Sequence, residues 1–415
     1  MKKNTLNVLA KISLVIFSFL LLYYGFAGGT SAVWDGDSIA YHIPIAKLIL
    51  SGKIFNPAGQ TYSVEVDRGM VFSPGASEII LSLFILARIP LNLLDVAGIL
   101  IFFFVMRKLA QTYGIPGSLS TIFAASMATL HSVMRWALSQ TIDVWLASFF
   151  GLSLILLQTP KKTYKYFLFL GFALGMLFGS KYTGPAFAFF LLLFFGKKIL
   201  KILNFKRFLA FLATFIPLGL FWYIRNYILT GDPYFPQSIP FFKGVPWHIL
   251  DYPVWKIIFL TPNTIIVWLQ AFISEYTVWC LALITVPVVY FMTKKHLNIV
   301  LRSQIFKLML LALFCLVVYL FLPSGPYPNL ITSGFRYTYP AFVCLILAVF
   351  LFAKIFAKEE ILGIIAVTNM LIMPELSYHP KILIALIPVA IAIFYPSKIE
   401  NFYKLCKKYY TRKRM

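Results

Sequence analysis

The chain is short of charge, and shorter still of acid. Only 12% of its 415 residues are charged, and Asp and Glu together number 14. An ordinary soluble domain carries about 25% charged residues, so this composition excludes one. Cysteine is scarce as well. Cys280, Cys315, Cys344 and Cys406 form neither a disulfide framework nor a metal-type spacing. No stretch reads as a soluble domain, no repeat of solenoid length recurs, and no low-complexity linker divides the chain.

What fills the chain instead is apolar. Hydrophobic residues make up 60% of it, and mean hydropathy is +0.84. Apolar runs recur from end to end near the roughly 20 residues that a membrane helix needs. They lie at about 9–29, 93–108, 114–133, 141–158, 165–180, 183–196, 208–224, 274–292, 307–322, 338–353, 361–376 and 382–395. The expectation is an all-α polytopic membrane protein with about twelve transmembrane helices, between eleven and thirteen. The first run follows Lys2 and Lys3 and is longer than a signal-peptide core, so it reads as an uncleaved span.

A formal charge of +23 would suggest nucleic acid in a soluble chain. Here its distribution explains it instead. With alternating spans and the N-terminus inside, 26 of the 37 Lys and Arg fall on the cytoplasmic side. That bias predicts an integral, multi-pass protein of a bacterial-type cell membrane with both termini cytoplasmic and no nucleic-acid partner. The single transmembrane domain, 1–415, then carries large extracytoplasmic loops at 30–92 and 225–273. A basic tail at 396–415 (Lys404, Lys407, Lys408, Arg412, Lys413 and Arg414) reads as an anchor to anionic membrane lipids.

All eight tryptophans fall in outer segments or at the outer ends of runs. Two readings stay open: an interfacial aromatic belt, or ring faces lining an outward cavity for sugars or acyl chains.

The segment after the first run, VWDGDSIAYHIPIAKLILSGKI (33–54), gathers the polar chemistry. Asp37 is placed to N-cap a helix. From there Ile39, Ile43, Ala46 and Leu50 share one face, with His42, Lys47 and Ser51 elsewhere, and Gly52 ends it. That pattern predicts an interfacial helix lying flat. A second candidate runs from Pro74 to Ile89, with Glu78 and Arg88 at its polar ends. Asp35 and Asp37 are either turn and cap residues or, at the partly desolvated mouth of a bundle, candidates for a general base. An Asp-x-Asp pair can also hold a divalent metal. Arg135, Lys181, Arg225 and Arg336 each end a run on the same side. Each can snorkel to the interface, yet four at one level also suit an anionic head group. Asp143 follows Arg135 closely and can pair with it; Tyr41, His42 and Glu78 are supporting candidates.

The residues alone thus describe either an enzyme using a lipid-linked phosphate donor or a transporter or flippase for an anionic, polyprenyl-linked lipid. The middles of the runs are almost free of charge, which favours surface chemistry over passage.

Several stretches resemble the GT-C superfamily of membrane glycosyltransferases, in particular lipid-carrier-dependent members akin to protein O-mannosyltransferases and aminoarabinose transferases. DSIAYHIPIAKLILSG (Asp37 to Gly52) resembles their first outer loop, and FSPGASEIILSLFIL (Phe72 to Leu86) their second juxtamembrane helix. SQTIDVWLASF (Ser139 to Phe149) is similar to the segment that sets an Asp, here Asp143, at a span start. RNYILTGDPYFP (Arg225 to Pro236) and FRYTYPA (Phe335 to Ala341) match two later elements in the family's order. The resemblance implies inverting transfer of a sugar from a polyprenyl-phosphate carrier to an acceptor glycan, lipid or protein on the extracytoplasmic face. It implies Asp37 as the base, with the second acid either absent or supplied by Asp35 or Glu78, and Arg336, then Lys181 and Arg225, as the cations that meet the leaving phosphate. It needs no nucleotide, and a divalent metal is optional. The chain departs from the pattern where Ser38 replaces the second acid of an Asp-Glu pair, where Asp232 replaces an Asn, and where no extramembrane domain follows the last run.

Overall fold

The computed structural model describes residues 2–56, 69–237, 252–324 and 328–372. Every expected apolar run within these residues is helical. The run at 382–395, the end of the one at 361–376, and the basic tail at 396–415 with Cys406 lie outside them.

The helices are α1 (Lys2–Thr30), α2 (Ser38–Leu50), α3 (Glu78–Leu86), α4 (Leu93–Thr112), α5 (Gly117–Ala128), α6 (Asp143–Gln158), α7 (Tyr164–Ser180) and α8 (Gly184–Phe195). There follow α9 (Phe205–Thr230), α10 (Pro262–Thr293), α11 (Ile299–Leu320), α12 (Leu330–Ile355) and α13 (Glu359–Leu371). By length and composition five can cross a membrane: α1 from Asn4, α9, α10, α11 and α12. At about 1.5 Å per residue, the shorter apolar helices reach well under the ~30 Å of a hydrocarbon core. The described residues thus form a predominantly helical protein of membrane character, with five helices both long and apolar enough to cross a membrane.

Helix starts are written locally. Asn204, Asn298 and Thr163 each accept the backbone N–H of the residue three positions on, and Thr261 forms a reciprocal capping box with Thr264. α12 is the central helix, with 83% of its apolar window buried against 17–33% for the other four long helices. This is the helix that delivers Arg336.

One packing device fixes the height of Lys181. On α7, Gly171, Gly175 and Gly179 fall four apart and face α9. A Cβ on Gly171 would sit 2.2 Å from the Phe211 carbonyl oxygen, and one on Gly179 2.0 Å from that of Leu218. The two backbones touch with no room for a methyl group, the small-residue contact by which membrane helices approach closely. Lys181 lies two residues beyond the last of these glycines.

A two-residue ribbon, β1 (Tyr252–Pro253), pairs antiparallel with β2 (Pro323–Ser324). It joins the segment before α10 to the end of α11.

The helix α2 forms as expected, and the expected faces hold at Ile39 and Leu50 but not at Ala46 and His42, which are buried. Ile39 and Leu50 are exposed, whereas Tyr41, His42, Ile45, Ala46 and Leu48 are buried. In a membrane the outward face is the greasy one and polar groups turn inward. The second candidate helix begins at Glu78 instead of Pro74 and ends at Leu86. Gly52 stops α2 as expected, in the left-handed conformation at φ 69°.

Candidate active site

Chain alternation brings the C-terminal ends of α1 and α7 to the same level as the starts of α4, α6, α8 and α12. Asn92 ties this level together. Its Nδ2 donates to Ser31 O (3.1 Å), Ser31 Oγ (2.9 Å) and Ala32 O (3.0 Å), while its Oδ1 accepts from Gln140 Nε2 at 2.9 Å.

The loop so pinned carries the two acids, and they divide the work differently from the expectation. Asp37 makes no capping hydrogen bond to α2. Asp35 is the cap: its Oδ2 accepts the Ser38 backbone N–H at 3.0 Å and the Ser38 hydroxyl at 2.5 Å. Ser38 Oγ in turn accepts the Gln140 N–H at 2.9 Å. Asp35 is buried and committed to the backbone turn, and this leaves the Asp37 carboxylate free to face Arg336.

From Asp37 a row of alternating charges runs inward. Arg336 Nη2 is ion-paired with Asp37 Oδ2, and its Nε lies 3.4 Å from Asp143 Oδ2. Asp143 Oδ1 accepts from Lys181 Nζ at 2.7 Å. The row is electrically balanced, two acids and two bases, and only Asp37 reaches its surface: its side chain is 37% exposed against 7% for Arg336 and 3% for Asp143. Burial alone would push Asp37 up. The Arg336 guanidinium outweighs it, helped by His42 and Lys181, and lowers Asp37 to about 2. In this state Asp37 is a carboxylate but a feeble base.

Arg336 is held flat by aromatic rings, 4.9 Å from the Trp136 centroid and 5.4 Å from that of Tyr337. Trp34 stacks on Trp136 at 6.4 Å. Arg336 Nη1 is buried with no hydrogen-bond partner among the described residues. A buried guanidinium with a spare donor is a ready anion site.

Beside the row lies a cavity of about 130 Å³ bordered by Tyr41, His42, Ser73, Lys181, Thr183 and Tyr337 among others. His42 Nδ1 meets Glu78 Oε1 at 2.6 Å, and both side chains are buried. Burial raises Glu78 to about 8. Burial first, then the nearby Lys181 charge, holds His42 well below its usual range.

The remaining expected residues go elsewhere. Arg135 pairs with Glu275, not with Asp143. Arg225 donates through Nη2 to Phe72 O (2.7 Å) and to the side chain of Asn226. Asn226 itself donates to Phe72 O and Phe235 O, so this pair clamps two loops and stands apart from the Asp37–Lys181 row. Asp232 accepts the Tyr234 N–H at 2.7 Å and is a turn residue. As to a metal, Asp35 is taken by Ser38 and Asp37 by Arg336. Among the described residues no group of three or more His, Cys, Asp or Glu is gathered to hold an ion.

Tyr337 and Thr183 border this site without having been singled out in the sequence, while Trp136 is one of the tryptophans whose ring faces were a candidate lining. Tyr337 and Trp136 are each the neighbour of a flagged cation, and that adjacency was the available signal. No family model matches the chain, and no curated protein or solved structure matches it either.

Proposed function

We propose that the chain is a glycosyltransferase that moves a sugar from a polyprenyl-phosphate carrier to an acceptor hydroxyl at the extracytoplasmic face. The observation that supports it best is Arg336, buried, with an unused donor, and shared between Asp37 and Asp143. A donor phosphate arriving at this guanidinium competes with Asp37 for it. Losing its cation and gaining a nearby anion both raise the pKa of Asp37 toward working pH. The base is thereby armed only when donor is present.

The step balances simply. Asp37 takes the proton of the acceptor hydroxyl as its oxygen bonds to the anomeric carbon from the face opposite the leaving group. The anomeric C–O bond breaks and its electron pair stays on the phosphate. That group passes from a singly to a doubly charged species, which Arg336 and Lys181 meet. No cofactor enters this balance.

The test is transfer in proteoliposomes from a panel of polyprenyl-phosphate sugars, followed by mass spectrometry of the products. Asp37→Asn is expected to lower the rate by about 10²–10⁴-fold, the usual worth of a general base, while lipid binding persists. Unchanged transfer in this variant refutes the assignment of the base. Movement of a polyprenyl-linked lipid across the vesicle with no new glycosidic bond would instead support the transporter reading.

A further inference from the structure

The cavity beside the charge row contains an imidazole that the transfer mechanism does not use. His42 is fully buried, borders the cavity and spends Nδ1 on Glu78. Glu78 stands behind it, outside the cavity wall. The two ring nitrogens point to different sides, so Nε2 turns away from Glu78, and it has no hydrogen-bond partner among the described residues. A second wall residue, Thr183, has a buried hydroxyl that is equally unpartnered. Buried polar atoms left unsatisfied are costly. Two on one cavity wall mark a place where a ligand completes the hydrogen bonding.

The rest of the wall indicates what kind of ligand. Tyr41 and Tyr337 offer aromatic rings, Ser73 a hydroxyl, and Lys181 a cation at the inner end of the charge row. A volume of about 130 Å³, bordered by hydroxyls, aromatic rings and a cation, suits a small hydroxylated ring better than a long prenyl chain.

We propose that this cavity seats the sugar being transferred, and that His42, positioned by Glu78, donates its Nε2–H to a sugar oxygen while Thr183 makes a second contact. The inference rests on the donor reading above and assigns the part of the donor which that reading left without a place.

The tautomer follows from the pair. With Glu78 lifted to about 8 and His42 held low, the shared proton at neutral pH belongs to the carboxyl, which donates it to Nδ1. The imidazole's own hydrogen then sits on Nε2. Lys181, Asp37 and Arg336 act on the imidazole and Lys181 and Asp143 on the carboxyl; Tyr41 lies against the imidazole, 4.0 Å between ring centroids. Glu78→Gln preserves the arrangement, because an amide N–H donates to Nδ1 in place of the carboxyl. Glu78→Leu leaves the ring unheld.

The experiment measures binding of full-length protein in nanodiscs to a bare polyprenyl phosphate and to the same lipid carrying glucose, mannose, galactose or arabinose. One glycosylated lipid is expected to bind wild-type protein more tightly than the bare phosphate. His42→Ala and Glu78→Leu should weaken that lipid about tenfold, Thr183→Val a few-fold, and Glu78→Gln hardly at all. Affinity for the bare phosphate should hold in all four variants, and this also shows that they are folded. The subsite is overturned if no glycosylated lipid outbinds the bare phosphate, or if His42→Ala weakens both lipids alike. Failure of wild-type protein to bind any of these lipids overturns the donor reading itself.

Discussion

Replacing Glu78 with Gln should change how stability depends on pH, and the pair it forms with His42 sets both the window and the size. In the unfolded chain Glu78 and His42 titrate near 4.5 and 6.5; folded, Glu78 titrates near 8 and His42 well below 6.5. Below 6.5, while the folded His42 stays unprotonated, each state holds one proton on the pair, on His42 when unfolded and on Glu78 when folded, and stability is level. Between 6.5 and 8 the unfolded pair is empty while the folded pair keeps its proton. Stability therefore falls as pH rises, by about 1.4 kcal/mol per unit or about 2 kcal/mol across this window. In Glu78→Gln only His42 remains, with a lowered pKa. The variant should be level above 6.5 and lose stability as pH falls below it, the opposite order from the parent. The assay is the fraction of protein remaining folded in nanodiscs after graded heating at half-unit pH steps from 5 to 9, parent and variant side by side. Parallel curves from 6.5 to 8 would refute the paired titration and with it the neutral, buried Glu78.

Other substitutions test other parts of the structure. Arg336→Lys keeps the charge but not the fork or the flat seat on Trp136 and Tyr337. It should weaken binding of bare polyprenyl phosphate on the order of tenfold by titration in nanodiscs; unchanged affinity would remove Arg336 from the anion site. Gly171→Val drives a side chain into the Phe211 carbonyl and should cost about 1–3 kcal/mol, read as earlier loss of folded protein on heating. A fully stable Gly171→Val protein would show that α7 and α9 are not in backbone contact. Asp35→Ala removes a cap worth about 1 kcal/mol, whereas Asp35→Asn retains an accepting oxygen. Both should keep transfer activity per folded molecule, and a selective loss of turnover in Asp35→Asn would return Asp35 to the chemistry.

Much of the site was legible because charge in a greasy chain is rare enough to count. Asp37, Asp143, Lys181 and Arg336 stood out on that ground alone, and three contacts join them into one row. Their partners were not legible. Asp143 sits eight residues after Arg135, yet it meets Lys181 and Arg336, because chain proximity at a helix start says little about which helices lie alongside. The cap passed from Asp37 to Asp35 for a local reason: the turn begins two residues earlier than the spacing suggested, with Ser38 as the donor to Asp35. His42 reads as a polar-face residue of an interfacial helix; its burial against Glu78 depends on α3 packing on that face, which the spacing within α2 does not show. Arg225 carried the same outward signal as Arg336, a cation at the end of a run. Only the loop carbonyls around it reveal a clamp. The glycine spacing on α7 was visible as letters, but its meaning depended on α9 lying against it.

The two faces of α2 have a mechanical consequence. Its outer side presents Ile39 and Leu50, while its inner side is the wall that holds Tyr41 and His42. An interfacial helix of this kind takes its depth from the lipid it lies on. For α2 in that position, a thinner or more loosely packed membrane would shift the helix, and His42 with it. Lipid composition would then adjust the cavity's shape with no lipid inside it.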